Sequence, residues 1–478
     1  MSLTESIYYI RQMRRRDFFK GGSLAILGSS LLSPFETLAA VTMPDSKGKQ
    51  AKNIIFLVSD GMSTGTLNMA NILLNRKNGV SSKWMSLYEE NKVTRALMDT
   101  ASASSIVTDS AAASSSWGGG VRVPNGSLNV NADGTENLPI LQKFKKAGKS
   151  VGVVTTVTAT HATPAGFSVT SKKRSDEPGI AVKYLDLGMD VVMGGGLKHF
   201  SPSLRKDGKD LFGQARTKGY TVVTDRKQLL NQDGSKPLLG IFTDDALPYA
   251  LDRSADKELI EKVPTLAEMT KNAIKTLSKN KNGFVLQVES GKVDWAAHAN
   301  DIGGLLYDQI LFDEAVAEAI SFAEKSGDTL VVITTDHGNA NPGLFYGANA
   351  DRNFEKIFNF KQTNNWVLDG VNKDTSVSSF IEKLEAAQGY AITKAEAEQI
   401  LVHYGKIDEK GLYNPRNLPY KDLALVQSKY TSVGWGSMDH SGDYVELAMF
   451  GPGSELLKPF VKNIELHNLM LKACGVIA

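Results

Sequence analysis

Val285-Leu286-Gln287-Val288-Glu289, the helical pattern from Leu305 to Ala323, and then Val331-Val332-Ile333-Thr334-Thr335-Asp336-His337 form the stretch that decides the fold. Its two ends are apolar runs of strand length, which suit strands buried on both faces. Between them, Leu306, Ile310, Ala317 and Ile320 share one face of a helix. Similar apolar runs occur at Ile54 to Val58, Val151 to Val157 and Val191 to Met193. Strands alternating with helices predict an α/β fold, a central and largely parallel sheet flanked by helices on both faces.

Outward from these runs, polar residues stand where strands end. Asp60 follows Phe56-Leu57-Val58-Ser59, Glu289 closes the run at 285, and Asp336-His337 closes the run at 331. Ligands of open α/β sheets bind beyond the carboxyl ends of strands, so residues hundreds of positions apart are expected to share one site. From about Asn341 to Val433 the texture turns polar, and Thr393-Lys394-Ala395-Glu396 reads as a helix-capping box. Because Tyr444 to Phe450 then resumes a strand-like run, 341–433 is read as an insertion within a catalytic domain spanning 41–478.

The chain has 478 residues, 42% of them hydrophobic and 22% charged, which suits a folded enzyme and excludes disorder and coiled coil. At the amino terminus, Arg14-Arg15-Arg16-Asp17-Phe18-Phe19-Lys20 precedes a short apolar run and small residues ending Leu38-Ala39-Ala40. Residues 1–40 therefore read as a twin-arginine secretory signal. The run is too short and too rich in Gly and Ser for a membrane span. The expectation is an exported chain, periplasmic or extracellular. Loss of the signal removes Arg11, Arg14, Arg15, Arg16 and Lys20 against Glu5, Asp17 and Glu36, taking the formal charge from +2 to zero. A neutral chain gives no electrostatic case for nucleic acid. Cys474 is the single cysteine, so no intramolecular disulfide can form.

Four pieces carry chemistry. Thr108-Asp109-Ser110-Ala111-Ala112-Ala113 can open a helix with a serine hydroxyl where helical N–H groups favour an anion, although Asp-Ser before alanines also suits a plain cap. Asp294 and His298, four apart, lie on one helical face and can grip one ion, or form an exposed ion pair. Asp336-His337-Gly338 can turn two ligands toward a metal where glycine relieves the backbone, or bury one satisfied aspartate. His440 stands just before a strand, whereas His199, His403 and His467 are read as structural.

In their order along the chain these pieces resemble the alkaline phosphatase family from about Asn53 to the carboxyl terminus. The resemblance rests on Val58-Ser59-Asp60-Gly61-Met62, Thr108-Asp109-Ser110-Ala111, His161-Ala162-Thr163-Pro164-Ala165, Met193-Gly194-Gly195-Gly196, Glu289 with Asp294 and His298, Thr335-Asp336-His337, and His440. It implies hydrolysis of phosphate monoesters, small molecules of broad variety, with Ser110 as the nucleophile that takes the phosphoryl group. It also implies two Zn2+ ions, one held by Asp294, His298 and His440 and the other by Asp60, Asp336 and His337. One Mg2+ would use Asp60, Thr163 and Glu289 with His161 close by, and Arg174 would clamp phosphate oxygens. Lys172 and Lys173 adjoin Arg174, and an alternative alignment puts Lys172 in that role. A crown-type insertion at 341–433 and a homodimer also fit the family pattern. Some family branches have Asp in place of His161 and Lys in place of Trp295, which bears on the third metal and on phosphate release.

Relatives of the same superfamily fit less well. Sulfatases need Cys or Ser followed by x-Pro-x-Arg, which Ser110-Ala111-Ala112-Ala113-Ser114 lacks. Phosphodiesterases and nucleotide pyrophosphatases usually use Thr and lack the Glu and Thr of the magnesium site. Metal-dependent phosphoglycerate mutases share the fold as well. From another class, a silent phosphate- or metal-binding homologue would keep the scaffold without turnover.

Overall fold

In β1 (Asn53–Ser59) every side chain is buried, and alternate residues serve opposite layers. Ile55 and Leu57 face one apolar core while Ile54, Phe56 and Val58 face the other, as the two-residue period of a strand requires. The chain is described here by a computed structural model covering residues 48–412 and 415–477, so the signal read at 1–40 lies outside the described residues.

The strands after β1 are β2 (Thr94–Met98), β3 (Ser150–Thr158), β4 (Val191–Gly195), β5 (Thr221–Val223), β6 (Leu238–Ile241), β7 (Phe284–Ser290) and β8 (Thr329–Thr334). Four two-residue strands follow: β9 (Gly338–Asn339), β10 (Gly343–Leu344), β11 (Val433–Gly434) and β12 (His440–Ser441). β13 (Val445–Phe450) and β14 (Phe460–Val461) complete the set. Ten of these build one sheet in the order β14-β2-β13-β8-β1-β7-β3-β4-β6-β5. All pairings in it are parallel except those of β13 with β8 and β2. The α/β class and largely parallel sheet expected from the sequence are therefore present. Each long apolar run became a strand.

One core layer lies under the 25-residue helix Ile302–Ser326, capped by Asp301 at its start and by Gly327 in the left-handed region at its end. The other lies under the helices Ser110–Gly119, Ala162–Ser168 and Glu465–Ala473. There Phe56 packs its ring 5.0 Å from Trp117 and 5.1 Å from Phe167. No helix among the described residues is long and apolar enough to cross a membrane.

Between β8 and β13 the chain leaves the sheet through a series of helices and returns. Two short antiparallel ladders close the base of this excursion, β10 with β11 and β9 with β12. The second pairs His440 with Asn339, which returns His440 to the neighbourhood of Asp336 and His337. The capping box at Thr393 and Glu396 forms as read from the sequence.

Candidate active site

Ser110 is the first residue of the helix Ser110–Gly119. Asp109 caps this helix by accepting from the Ala112 N–H at 3.0 Å, and the small residues behind it let the helix lie close to Ala162–Ser168. A Cβ on Gly118 would collide with the carbonyl of Gly166, so glycine sets the spacing of the two helices. The buried Ser110 hydroxyl lies 3.3 Å from His337 Nε2, at a helix start suited to an anion.

Around His337 the carboxyl ends of β1, β7 and β8 converge. Its Nε2 is 3.2 Å from Asp336 Oδ2 and 3.5 Å from Asp60 Oδ1. Both oxygens are sealed from solvent and neither receives a hydrogen bond. Gly61, at φ +68, allows the approach of Asp294, whose Oδ1 would lie 2.6 Å from a Cβ at that position. Asp294 in turn sets Oδ1 3.4 Å from His440 Nε2 and Oδ2 3.5 Å from His298 Nε2.

Backbone carbonyls hold the far nitrogens of all three rings. His298 Nδ1 lies 2.7 Å from the Met438 carbonyl, His440 Nδ1 2.8 Å from that of Thr108, and His337 Nδ1 3.3 Å from that of Gly338. A carbonyl only accepts, so the proton sits on Nδ1 and the Nε2 lone pair faces inward, the tautomer that binds metal. His298 and His440 thus oppose Nε2 atoms 3.1 Å apart, which needs positive charge between them. Burial works against a charged His440, yet Asp294 pushes its ring up to about 9. Burial likewise opposes ionised Asp294, but His440, His298 and His337 hold its carboxyl below the usual range.

A third cluster sits behind Asp60. Thr163 Oγ1 donates to Asp60 Oδ2 at 3.4 Å, and Thr155 Oγ1 donates to Glu289 Oε2 at 2.5 Å. His161 Nδ1 lies 3.9 Å from Glu289 Oε1, and neither atom has a hydrogen-bond partner. Burial pushes Glu289 up to about 7, and burial with Asp336, Asp294 and Glu289 raises Asp60. Like charges 4 Å apart repel by about 4 kcal/mol at an effective dielectric of 20, so four neighbouring buried carboxylates call for cations. Three groups have donor atoms close enough to hold an ion: Asp294 with His337 and His440, Asp60 with Asp336 and His337, and Asp60 with His161 and Glu289.

Arg174 reaches the same pocket, donating to Asp109 Oδ2 at 3.0 Å and to His161 Nε2 at 3.2 Å. Lys172 is exposed. The rings of Trp295 and His161 meet edge to face, with centroids 6.3 Å apart, and Lys292 Nζ lies 4.7 Å from the Trp295 ring centroid. All eleven residues read as site candidates fall in this one region.

Other participants escaped the sequence reading. Asn339 donates to Asp294 Oδ1 at 2.7 Å, Thr155 holds Glu289, and Asp109 anchors Arg174. The detectable signal for Thr155 was a hydroxyl inside an apolar strand run; Asn339 left none beyond standing two residues after His337.

The model of the family described as alkaline phosphatase matches residues 51–476. The chain is 32% identical to alkaline phosphatase 3 of Bacillus subtilis over 461 residues, which cover 92% of this chain and 94% of that one. It is 34% identical to the alkaline phosphatase of Escherichia coli over 334 residues, 61% of this chain and 71% of that protein. The crystal structure of Thermus thermophilus alkaline phosphatase superposes with a TM-score of 0.83 at 32% identity, covering 94% of this chain and 96% of the other. A matched family model, matched relatives and a convergent cluster of buried carboxylates and histidines agree: the chain belongs to the alkaline phosphatase family of phosphate monoester hydrolases.

Proposed function

We propose that the chain hydrolyses phosphate monoesters through a phosphoserine formed on Ser110. The observation that carries this reading is the Ser110 hydroxyl at a helix start, 3.3 Å from His337 Nε2, which itself lies beside the Asp60 and Asp336 carboxylates.

The donors sort by chemistry. Nitrogen with carboxylate oxygen, as in Asp294, His298 and His440 and in Asp60, Asp336 and His337, suits Zn2+. The largely oxygen set of Asp60, Thr163 and Glu289, with His161 close, suits Mg2+. Bound there, the cations would lower the pKa of a coordinated hydroxyl and offset charge on the attacking and leaving oxygens. The orphaned oxygens of Asp60, Asp336 and Glu289 support such ions.

Ser110 Oγ gives up its proton to solvent water and attacks phosphorus as the bond from phosphorus to the ester oxygen breaks. The departing alcohol takes a proton from water. A water molecule then attacks the phosphoserine, the Oγ–P bond breaks, and the proton released by that water returns to Ser110 Oγ as inorganic phosphate leaves. Arg174, steadied by Asp109, grips two phosphate oxygens in both steps, and the free N–H groups of the helix Ser110–Gly119 favour the anion.

Acid quenching during turnover of a labelled phosphate monoester should trap label on Ser110. Ser110→Ala should abolish the trapped species and lower turnover by several orders of magnitude while leaving metal content nearly unchanged. Label on another residue would overturn the assignment. The signal read at 1–40 and family membership support export and a homodimer, and the two short ladders at its base support 341–433 as an insertion.

A further inference from the structure

We propose that Asn125 is a positioning residue that locks the nucleophile to the histidine side of the metal cluster. The inference rests on the reading of Ser110 as nucleophile and of His440 as a metal ligand.

Asn125 clamps the short segment Val107–Asp109 from outside. Its Nδ2 donates to the Val107 carbonyl at 3.1 Å, and its Oδ1 accepts from the Asp109 N–H at 3.3 Å. Its own N–H donates to Ser104 Oγ at 3.0 Å, which ties the clamp to the loop leading into the segment. A single amide side chain thereby fixes the residues on both sides of Thr108. The Thr108 carbonyl is the group that holds His440 Nδ1 at 2.8 Å and turns the ring's Nε2 lone pair inward.

The next residue of Asn125's loop completes the arrangement. The Gly126 N–H donates to Asp109 Oδ2 at 2.9 Å, the oxygen that also receives Arg174, and the Gly126 carbonyl accepts from the Arg174 N–H at 2.9 Å. Asp109 meanwhile caps the helix that begins at Ser110. The loop at 125–126 thus braces nucleophile, phosphate clamp and metal ligand together. Asn125 is its only side chain that spans the Thr108 peptide. Aspartate at this position keeps the acceptor for Asp109 N–H but sets a second oxygen against the Val107 carbonyl, so it should break the half of the clamp that aims the Thr108 carbonyl.

Partners of ligating histidines typically govern metal affinity or activity by roughly 10- to 100-fold. Zn2+ release from the zinc-loaded protein into a chromogenic chelator is the primary readout, and it reports on the clamp whether or not the enzyme turns over. Asn125→Ala and Asn125→Asp should both release one Zn2+ about tenfold faster than the parent. Turnover of an aryl phosphate should fall about tenfold in kcat with a smaller change in KM. In a His440→Ala background Asn125→Ala should add little to metal release, since the link it serves is already cut. If Asn125→Ala fails to fold, the isosteric Asn125→Asp decides. Release at the parental rate in the folded variants, or equal additional loss in the His440→Ala background, would refute the clamp. Parental protein that binds Zn2+ but cleaves no phosphate monoester would instead refute the functional reading and leave the metal-release comparison standing.

Discussion

Arg174 shows how much of the site depends on single side chains. Three consecutive basic residues, Lys172, Lys173 and Arg174, could each have met phosphate, and the sequence alone offered only a thirteen-residue spacing from His161 to choose among them. In the fold, only Arg174 turns inward to Asp109 and His161, while Lys172 and Lys173 are exposed. A planar guanidinium matches two phosphate oxygens in a way an ammonium does not. Arg174→Ala should therefore weaken substrate and inhibitory phosphate together and cut catalytic efficiency by roughly 10- to 1000-fold, about 1.4 to 4 kcal/mol. Lys172→Ala should be near neutral. Phosphate inhibition constants for the two variants check this, and the reverse ranking would move the clamp to Lys172. Ligand-type residues were legible in the sequence because aspartate and histidine are conspicuous at the ends of apolar runs. The residues that hold them were not: Asn339, Thr155 and the carbonyls of Thr108 and Met438 are ordinary groups whose roles arise only from distant pairing.

Among the elements, the strand ends and the turns after them position the chemistry, and one turn rests on a half-buried carboxylate, Glu177. Beyond β3, Glu177 accepts from Thr158 Oγ1 at 2.6 Å and Thr160 Oγ1 at 2.7 Å, and lies 3.1 Å from His199 Nε2. His199, read from sequence as structural, thus fixes the turn that delivers His161 and Thr163. Burial would raise the Glu177 carboxyl, but His199 and the two threonines bring it down to about 2. A depressed carboxylate adds stability that is complete above its unfolded value of about 4.3 and is lost as pH falls toward 2. Glu177→Gln should cost about 1.5 to 3 kcal/mol at neutral pH, the range for hydrogen bonds to a charged group. The gap between parent and variant melting temperatures should close between about pH 4 and 2. A gap unchanged across that range would show that the carboxylate charge is not what holds the turn. The long strands were legible because both of their faces are apolar. β2 was not, since it is partly exposed, and β5, β6 and β14 run only two to four residues, too short for a period to register.

At the scale of the whole molecule the metal cluster joins distant parts of the chain. Asp60, Glu289, Asp336 and His440 come from the turn after β1, from β7, from the turn after β8 and from β12, and the described residues contain a single, free cysteine. Without disulfides, cations bound at these residues would act as the cross-links, and their binding free energy would add to folding free energy. An ion present at 1,000 times its dissociation constant adds about 4 kcal/mol. Unfolding entropy of about 2.1 cal/mol/K per residue gives roughly 1 kcal/mol/K for a chain of this length, so each ion is worth about 4 °C in melting temperature. Three ions predict a fall of roughly 10 to 15 °C on exhaustive chelation, with activity lost in parallel. The carboxylates left facing one another without cations push the fall toward the upper end. Zn2+ alone should restore about two thirds of the lost stability, and added Mg2+ the remainder, because nitrogen-containing and largely oxygen donor sets select different ions. His440→Ala should bind one zinc fewer and recover correspondingly less. Elemental analysis of the active protein is the second arm: about two zinc-type ions and one magnesium-type ion per chain are expected. A single metal per fully active chain, or a melting temperature indifferent to chelation, would refute the three-ion arrangement even if Ser110 still carried the phosphoryl group.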